Sequence, residues 1–90
     1  MNFVFEFDEA KSAANKAKHC LNFVEAQELW AGGVLLKTPA MTLKDEQLWA
    51  AIGKLASKHW VAFYTMRGET IRLISVRRAR TGEIKYYESQ

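Results

Sequence analysis

The chain has one cysteine, one proline and no apolar run long enough to cross a bilayer. A lone Cys20 excludes an internal disulfide, and a fold built without one suits a reducing compartment such as the cytoplasm. Glu6, Asp8 and Glu9 interrupt the first residues, and no basic region leads into an apolar stretch, so no signal peptide is expected. His19 and His59 stand far apart, with no Cys pair and no His-x-x-x-His spacing, so no metal site is expected. The neighbours His19 and Cys20 diverge and form no catalytic dyad. Gly32-Gly33 is not followed by Lys-Ser/Thr, which excludes a phosphate loop, and no cofactor is expected. Repeats, linkers and low-complexity segments are also missing. The 90 residues therefore read as one domain, 1–90, with enough apolar residues for one modest core.

What the chain does have is an uneven distribution of charge. All five arginines lie in Arg67–Arg80, while all eight lysines lie elsewhere. That segment carries a formal charge of +4 against −1 for the remainder, and so creates the net +3. Arginine stays charged at physiological pH and offers a planar fork of donors that fits phosphate, so a polyanionic partner is expected. Surface pairing with Glu69, Glu83 or Glu88 absorbs part of this charge but leaves an excess.

Phe3, Phe5 and Phe7 alternate with Val4 and Glu6, which predicts a short strand over Asn2–Phe7. Asp8 is placed to cap a helix over Glu9–His19. Lys11, Asn15 and Lys18 share one polar face of that helix, opposite a small face of Ala10, Ala13, Ala14 and Ala17. Cys20 falls where a helix end favours a left-handed residue. Asn22 and Glu25 predict a capping box opening a second helix, Phe23–Trp30, which Gly32-Gly33 stops. Val34–Lys37 reads as a strand that Pro39 ends or confines to a sheet edge. After a polar connection over Met41–Glu46, Gln47–Leu55 reads as a strand.

Trp60–Met66 and Thr70–Val76 flank Arg67-Gly68-Glu69, a β-hairpin signal. In an uninterrupted second strand Arg77 follows the parity of Ile71, Leu73 and Ser75, and Arg78 that of Arg72, Ile74 and Val76, so the two project to opposite faces. Glu83–Glu88 is expected as a short C-terminal helix. The fold class is therefore α+β, with two N-terminal helices packed on one face of a mostly antiparallel sheet. Residues alone point to a small basic domain that binds nucleic acid.

The ordered set Phe7-Asp8, Lys11, Asn15, Lys18-His19, Phe23 and Glu25-Ala26 resembles the opening of the BrnT family, ribonuclease toxins of bacterial type II toxin–antitoxin pairs. The likeness continues through Glu46, Gly53, Tyr64-Thr65, Arg67-Gly68-Glu69, Arg72, Ile74-Ser75, Arg77-Arg78-Ala79, Glu83 and Tyr87. It implies a RelE-like fold, metal-independent RNA cleavage and a BrnA-type ribbon-helix-helix antitoxin that contacts operator DNA. The chain departs from the family pattern at Cys20, where glycine is usual, and at Leu48 and Ile84, where arginine is usual.

On this reading the chain is an endoribonuclease in which the RNA 2′-hydroxyl attacks the adjacent phosphorus and arginines stabilise the developing charge. The expected catalytic residues are Arg67, Arg77, Arg78 and Glu69. Lys11, Asn15, Lys18, Arg72 and Arg80 are the expected RNA contacts. Glu69, Glu46 and Tyr87 are alternative bases, and Glu69 has the further alternative of orienting Arg67. Leu48 and Ile84 also leave open a non-catalytic nucleic-acid-binding module on the same fold.

Overall fold

The computed structural model describes residues 3–90, the side chain of Leu43 excepted. The elements run β1 (Val4–Glu6), α1 (Glu9–His19), α2 (Phe23–Ala26), α3 (Glu28–Ala31), β2 (Leu36–Leu43), β3 (Glu46–Leu55), β4 (Lys58–Arg67), β5 (Thr70–Arg78) and α4 (Thr81–Glu88). They build a five-stranded sheet in the order β1-β5-β4-β3-β2. Strand β1 runs parallel to β5, and every other pair is antiparallel. The predicted α+β class and the strand meander are thus present. The strand expected over Asn2–Phe7 is Val4–Glu6, and Asn2 lies outside the described residues.

Two expectations about the helices are corrected. The second helix is broken at Gln27 into two four-residue helices, α2 and α3. The helices also divide between the two faces of the sheet. Segments α1 to α3 cover one face, where Phe23, Ala26 and Leu29 pack with Ala62, Leu73 and Val76. Helix α4 lies against the other, where Tyr87 and Ala79 meet Ala50, Ile52 and Val61. A sheet with apolar residues on both faces needs cover on both, and burial of Val61 to 1% exposure shows that the second face is not simply solvated.

The turns follow from their residues. Asp8 caps α1 by accepting from Lys11 N at 3.0 Å, and the Asn22–Glu25 capping box is complete. Cys20 adopts the left-handed conformation (φ 71) and donates its N–H to Lys16 O at 2.9 Å. Gly68 (φ 62) occupies the first central position of the tight β4–β5 turn, where a positive φ favours glycine. Gly53 allows α3 to approach the sheet: a Cβ there would lie 2.9 Å from Leu35 Cδ1 and 3.1 Å from Leu29 Cδ2. Pro39 sits on the edge strand β2, at an irregularity between Pro39 and Met41.

The expected faces of α1 are reversed. Ala10, Ala13, Ala14 and Ala17 are exposed, and Ser12 and Asn15 are buried. The cause is backbone satisfaction. Ser12 Oγ accepts from Phe23 N at 2.9 Å. The Asn15 side chain donates to Leu21 O at 2.7 Å and Val76 O at 2.9 Å, and accepts from Val76 N at 3.1 Å. Among the described residues, strand β1 pairs with β5 at Thr70–Arg72. Farther along, Asn15 supplies the acceptor and donor that a neighbouring strand would have given Val76. Asn15, expected as an RNA contact, is thus buried with its amide bonded to backbone.

Replacing Asn15 with alanine strands buried N–H and C=O groups and should cost about 3 kcal/mol, lowering Tm by roughly 12 °C or more. Cys20→Gly should act in the opposite direction, raising stability by about 1 kcal/mol, because it relieves a side chain held at positive φ. Thermal melts of both variants beside wild type check the pair.

Candidate active site on the sheet face opposite α1–α3

Parity along β4 and β5 decides which side chains meet. Strand β4 alternates regularly, with Trp60, Ala62 and Tyr64 toward α1–α3 and Val61, Phe63, Thr65 and Arg67 toward the other face. Strand β5 does not alternate regularly. Phe63 pairs with Ser75 but Tyr64 pairs with Leu73, so Ile74 is an extra residue, a β-bulge. Ile71, Leu73 and Val76 consequently all enter the same core. The parity expected for an uninterrupted strand is corrected: Arg77 now shares a face with Arg72, and Arg78 turns toward the helices.

The positions of the arginines follow. Arg67, Arg72 and Arg77 project from the face opposite α1–α3, each against a carboxylate from another element. Arg67 Nε lies 3.0 Å from Glu46 of β3, and Arg72 Nη1 lies 2.7 Å from Glu6 of β1. Arg77 makes a two-bond fork with Glu83 of α4, both contacts at 2.8 Å, and its guanidinium carbon stands 5.3 Å from the Phe63 ring centre. Arg78 lies on the opposite face, its guanidinium carbon 5.4 Å from the Trp60 ring centre. Arg80 is exposed at the entry to α4.

The remaining expected site residues are scattered. Lys11 and Lys18 are exposed on α1, in the layer across the sheet from Arg67, Arg72 and Arg77. Glu69 is exposed at the hairpin tip and lines an apolar hollow with Tyr64, Met66 and Ile71. Tyr87 donates its hydroxyl to Val34 O at 2.8 Å and stacks edgewise on His59. Of the three alternative bases, Glu46 alone is paired with an arginine. Leu48 is buried in β3 and Ile84 half-buried on α4. Among the described residues, no group of three or more His, Cys, Asp or Glu side chains is placed to hold a metal ion.

Glu6 escaped the sequence reading because it meets Arg72 across 66 residues of chain, a distance no local pattern records. Glu46 was read as a base alone, and its pairing with Arg67 across the β3–β4 ladder was missed. A hydrogen bond from the Arg77 guanidinium, with a smaller one from the Arg80 backbone N–H, holds the Glu83 carboxyl below its ordinary range. The same bond raises the pKa of Arg77. Glu88 is likewise lowered, chiefly by its hydrogen bond with His59.

The small α+β fold with charged groups gathered on a sheet face, as here, is compatible with several classes of binding protein and enzyme; sequence comparison selects among them. The chain belongs to the family described as the ribonuclease toxin, BrnT, of type II toxin–antitoxin systems, whose model matches residues 7–83. Membership makes it a ribonuclease toxin by family and implies an antitoxin partner. A search of curated proteins returns no match. No helix of the described residues is long and apolar enough to cross a membrane.

The sign of the Glu83 shift fixes a pH dependence. A carboxyl with a depressed folded pKa contributes stability that is full above its ordinary value near 4.5 and is lost as pH falls through the folded value. Thermal melts between pH 7 and pH 3 should show Glu83→Gln less stable than wild type at pH 7. Below about 4.5 the gap should narrow, because wild type alone loses this carboxylate.

Proposed function

We propose that the chain is a metal-independent endoribonuclease, the toxin of a cytoplasmic bacterial pair, working from the face that carries Arg67, Arg72 and Arg77. The observation that carries this reading is the alignment of three guanidinium–carboxylate pairs along one sheet face, in a chain of ribonuclease toxin family. A carboxylate seated in an arginine fork occupies the geometry that a phosphate oxygen pair takes. RNA entering this face exchanges its phosphates for Glu46, Glu6 and Glu83. The 2′-hydroxyl then attacks phosphorus and the 5′-oxygen leaves, forming a cyclic phosphate, and the arginines stabilise the charge on the phosphoryl oxygens. Arginine, with a pKa above about 12, does not serve as the base. The base stays open among Glu46, Glu69 and Tyr87, since Glu46, beside Arg67, stands at the far end of β4 from Arg77, which pairs with Val61. Phe63 beside Arg77 supplies a ring on which a base can stack.

Arg78 belongs to the opposite face in this reading and is no longer a catalytic candidate. The fold is read as RelE-like on its element order. The antitoxin is read as a BrnA-type ribbon-helix-helix protein that alone contacts operator DNA.

Incubating the pure protein with RNA in EDTA tests the proposal. Time-dependent fragments are expected, and Arg77→Lys should lower the single-turnover rate by roughly 10²–10³-fold, since lysine lacks the fork. Arg78→Lys should change the rate little. RNA affinity should fall with salt, each phosphate contact adding about 0.7 to the logarithmic slope for a single strand. RNA retained without cleavage would favour the non-catalytic module, and equal losses in the two variants would indicate a diffuse phosphate-binding surface.

A further inference from the structure

Among the described residues, one buried side-chain polar atom on the arginine face has no hydrogen-bond partner. Thr65 is 4% exposed, and its Oγ1 is buried without a hydrogen bond. Buried hydroxyls are nearly always bonded, so an orphan on a binding face calls for an explanation. By strand parity Thr65 projects to the same side as Phe63 and Arg67, two residues away on either side, and it stands directly across from Arg72 in the β4–β5 register. The orphan hydroxyl thus sits between two arginines whose side chains are 54% and 35% exposed. Exposed ion pairs of this kind are weak and exchange partners readily. The other two orphans, Trp30 Nε1 and Trp60 Nε1, belong to the opposite face.

We infer that Thr65 is a substrate-binding residue, its hydroxyl donating to a phosphate oxygen of RNA held by Arg67 and Arg72. The inference rests on the ribonuclease reading for its ligand class, but binding alone can test it. In the free protein the hydroxyl has no accessible surface, and the neighbouring Arg67 and Arg72 are held by Glu46 and Glu6. When phosphate takes the place of the carboxylates, the guanidinium groups follow it and the hydroxyl gains the acceptor it lacks. A purely structural threonine would have its hydroxyl bonded within the protein, as the Ser12 hydroxyl is to Phe23 N.

The experiment compares wild type, Thr65→Val and Thr65→Ser for affinity to a single-stranded RNA whose 2′-hydroxyls are methylated, which can bind but not be cut. Thr65→Val keeps the shape and removes the hydroxyl. It should bind about tenfold more weakly, the effect of one hydrogen bond to a charged group. Its Tm should equal or exceed that of wild type, since an unbonded hydroxyl has been removed. Thr65→Ser should restore the affinity. Unchanged affinity in Thr65→Val, a lowered Tm with that variant, no rescue by serine, or no RNA binding by wild type would each overturn the inference. A wild type that binds this RNA yet fails to cut the unmodified strand would refute the ribonuclease reading, and the three affinities would still decide the role of Thr65.

Discussion

The Ile74 bulge is the constraint on which the arrangement of side chains depends. One extra residue in β5 reverses the parity of everything after it. Because of that reversal, Val76 enters the helix-covered core, Arg77 joins Arg67 and Arg72 on the other face, and Arg78 reaches Trp60. Val76 lies beyond the reach of the short β1, where Asn15 closes its hydrogen bonds. Helix α1 is fixed to the sheet through a side-chain amide acting in place of a strand. Without the bulge the two consecutive arginines would exchange faces, and Glu83 would lose its fork.

The concentration of arginine in sequence does not translate into an equally positive surface. On the face opposite α1–α3 each guanidinium meets a carboxylate drawn from elsewhere: Glu46 from β3, Glu6 from β1, Glu83 from α4. Such pairs contribute little to stability when exposed. Their interest lies in what they arrange, three guanidinium groups held along one face by carboxylates, one of them in a two-bond fork. Burial against Phe63 makes Arg77–Glu83 the most enclosed of the three.

Much of this was legible in the sequence. The hairpin around Gly68, the Asn22 capping box and the left-handed Cys20 are all local, and each was signalled by a residue type with a single physical role, whereas β2 runs on through Pro39 to Leu43, where Met41–Glu46 had read as a polar connection. The errors share a different cause. The polarity of α1 was read from helical spacing, which treats Ser12 and Asn15 as solvent-seeking. Their partners are the backbones of Phe23, Leu21 and Val76, and nothing in an eleven-residue helix announces them. The Ile74 bulge is invisible because Leu-Ile-Ser-Val reads equally well as an unbroken strand. The arginines were therefore legible as a cluster, but which of them share a face was decided by pairings across the sheet.

The parallel pairing of β1 with β5 has a kinetic consequence. Glu6 and Arg72 are 66 residues apart in the chain, and Asn15 and Val76 are 61 apart. The three antiparallel ladders can form between neighbours in sequence, closing small loops at little entropic cost. The N-terminal strand and α1 have no such neighbour and must wait for β5. The topology accordingly predicts an early meander and a late stitching step, in which the first segment is sewn onto the last strand. Long-range closure of this kind slows folding and keeps the apolar underside of the meander exposed until it is complete.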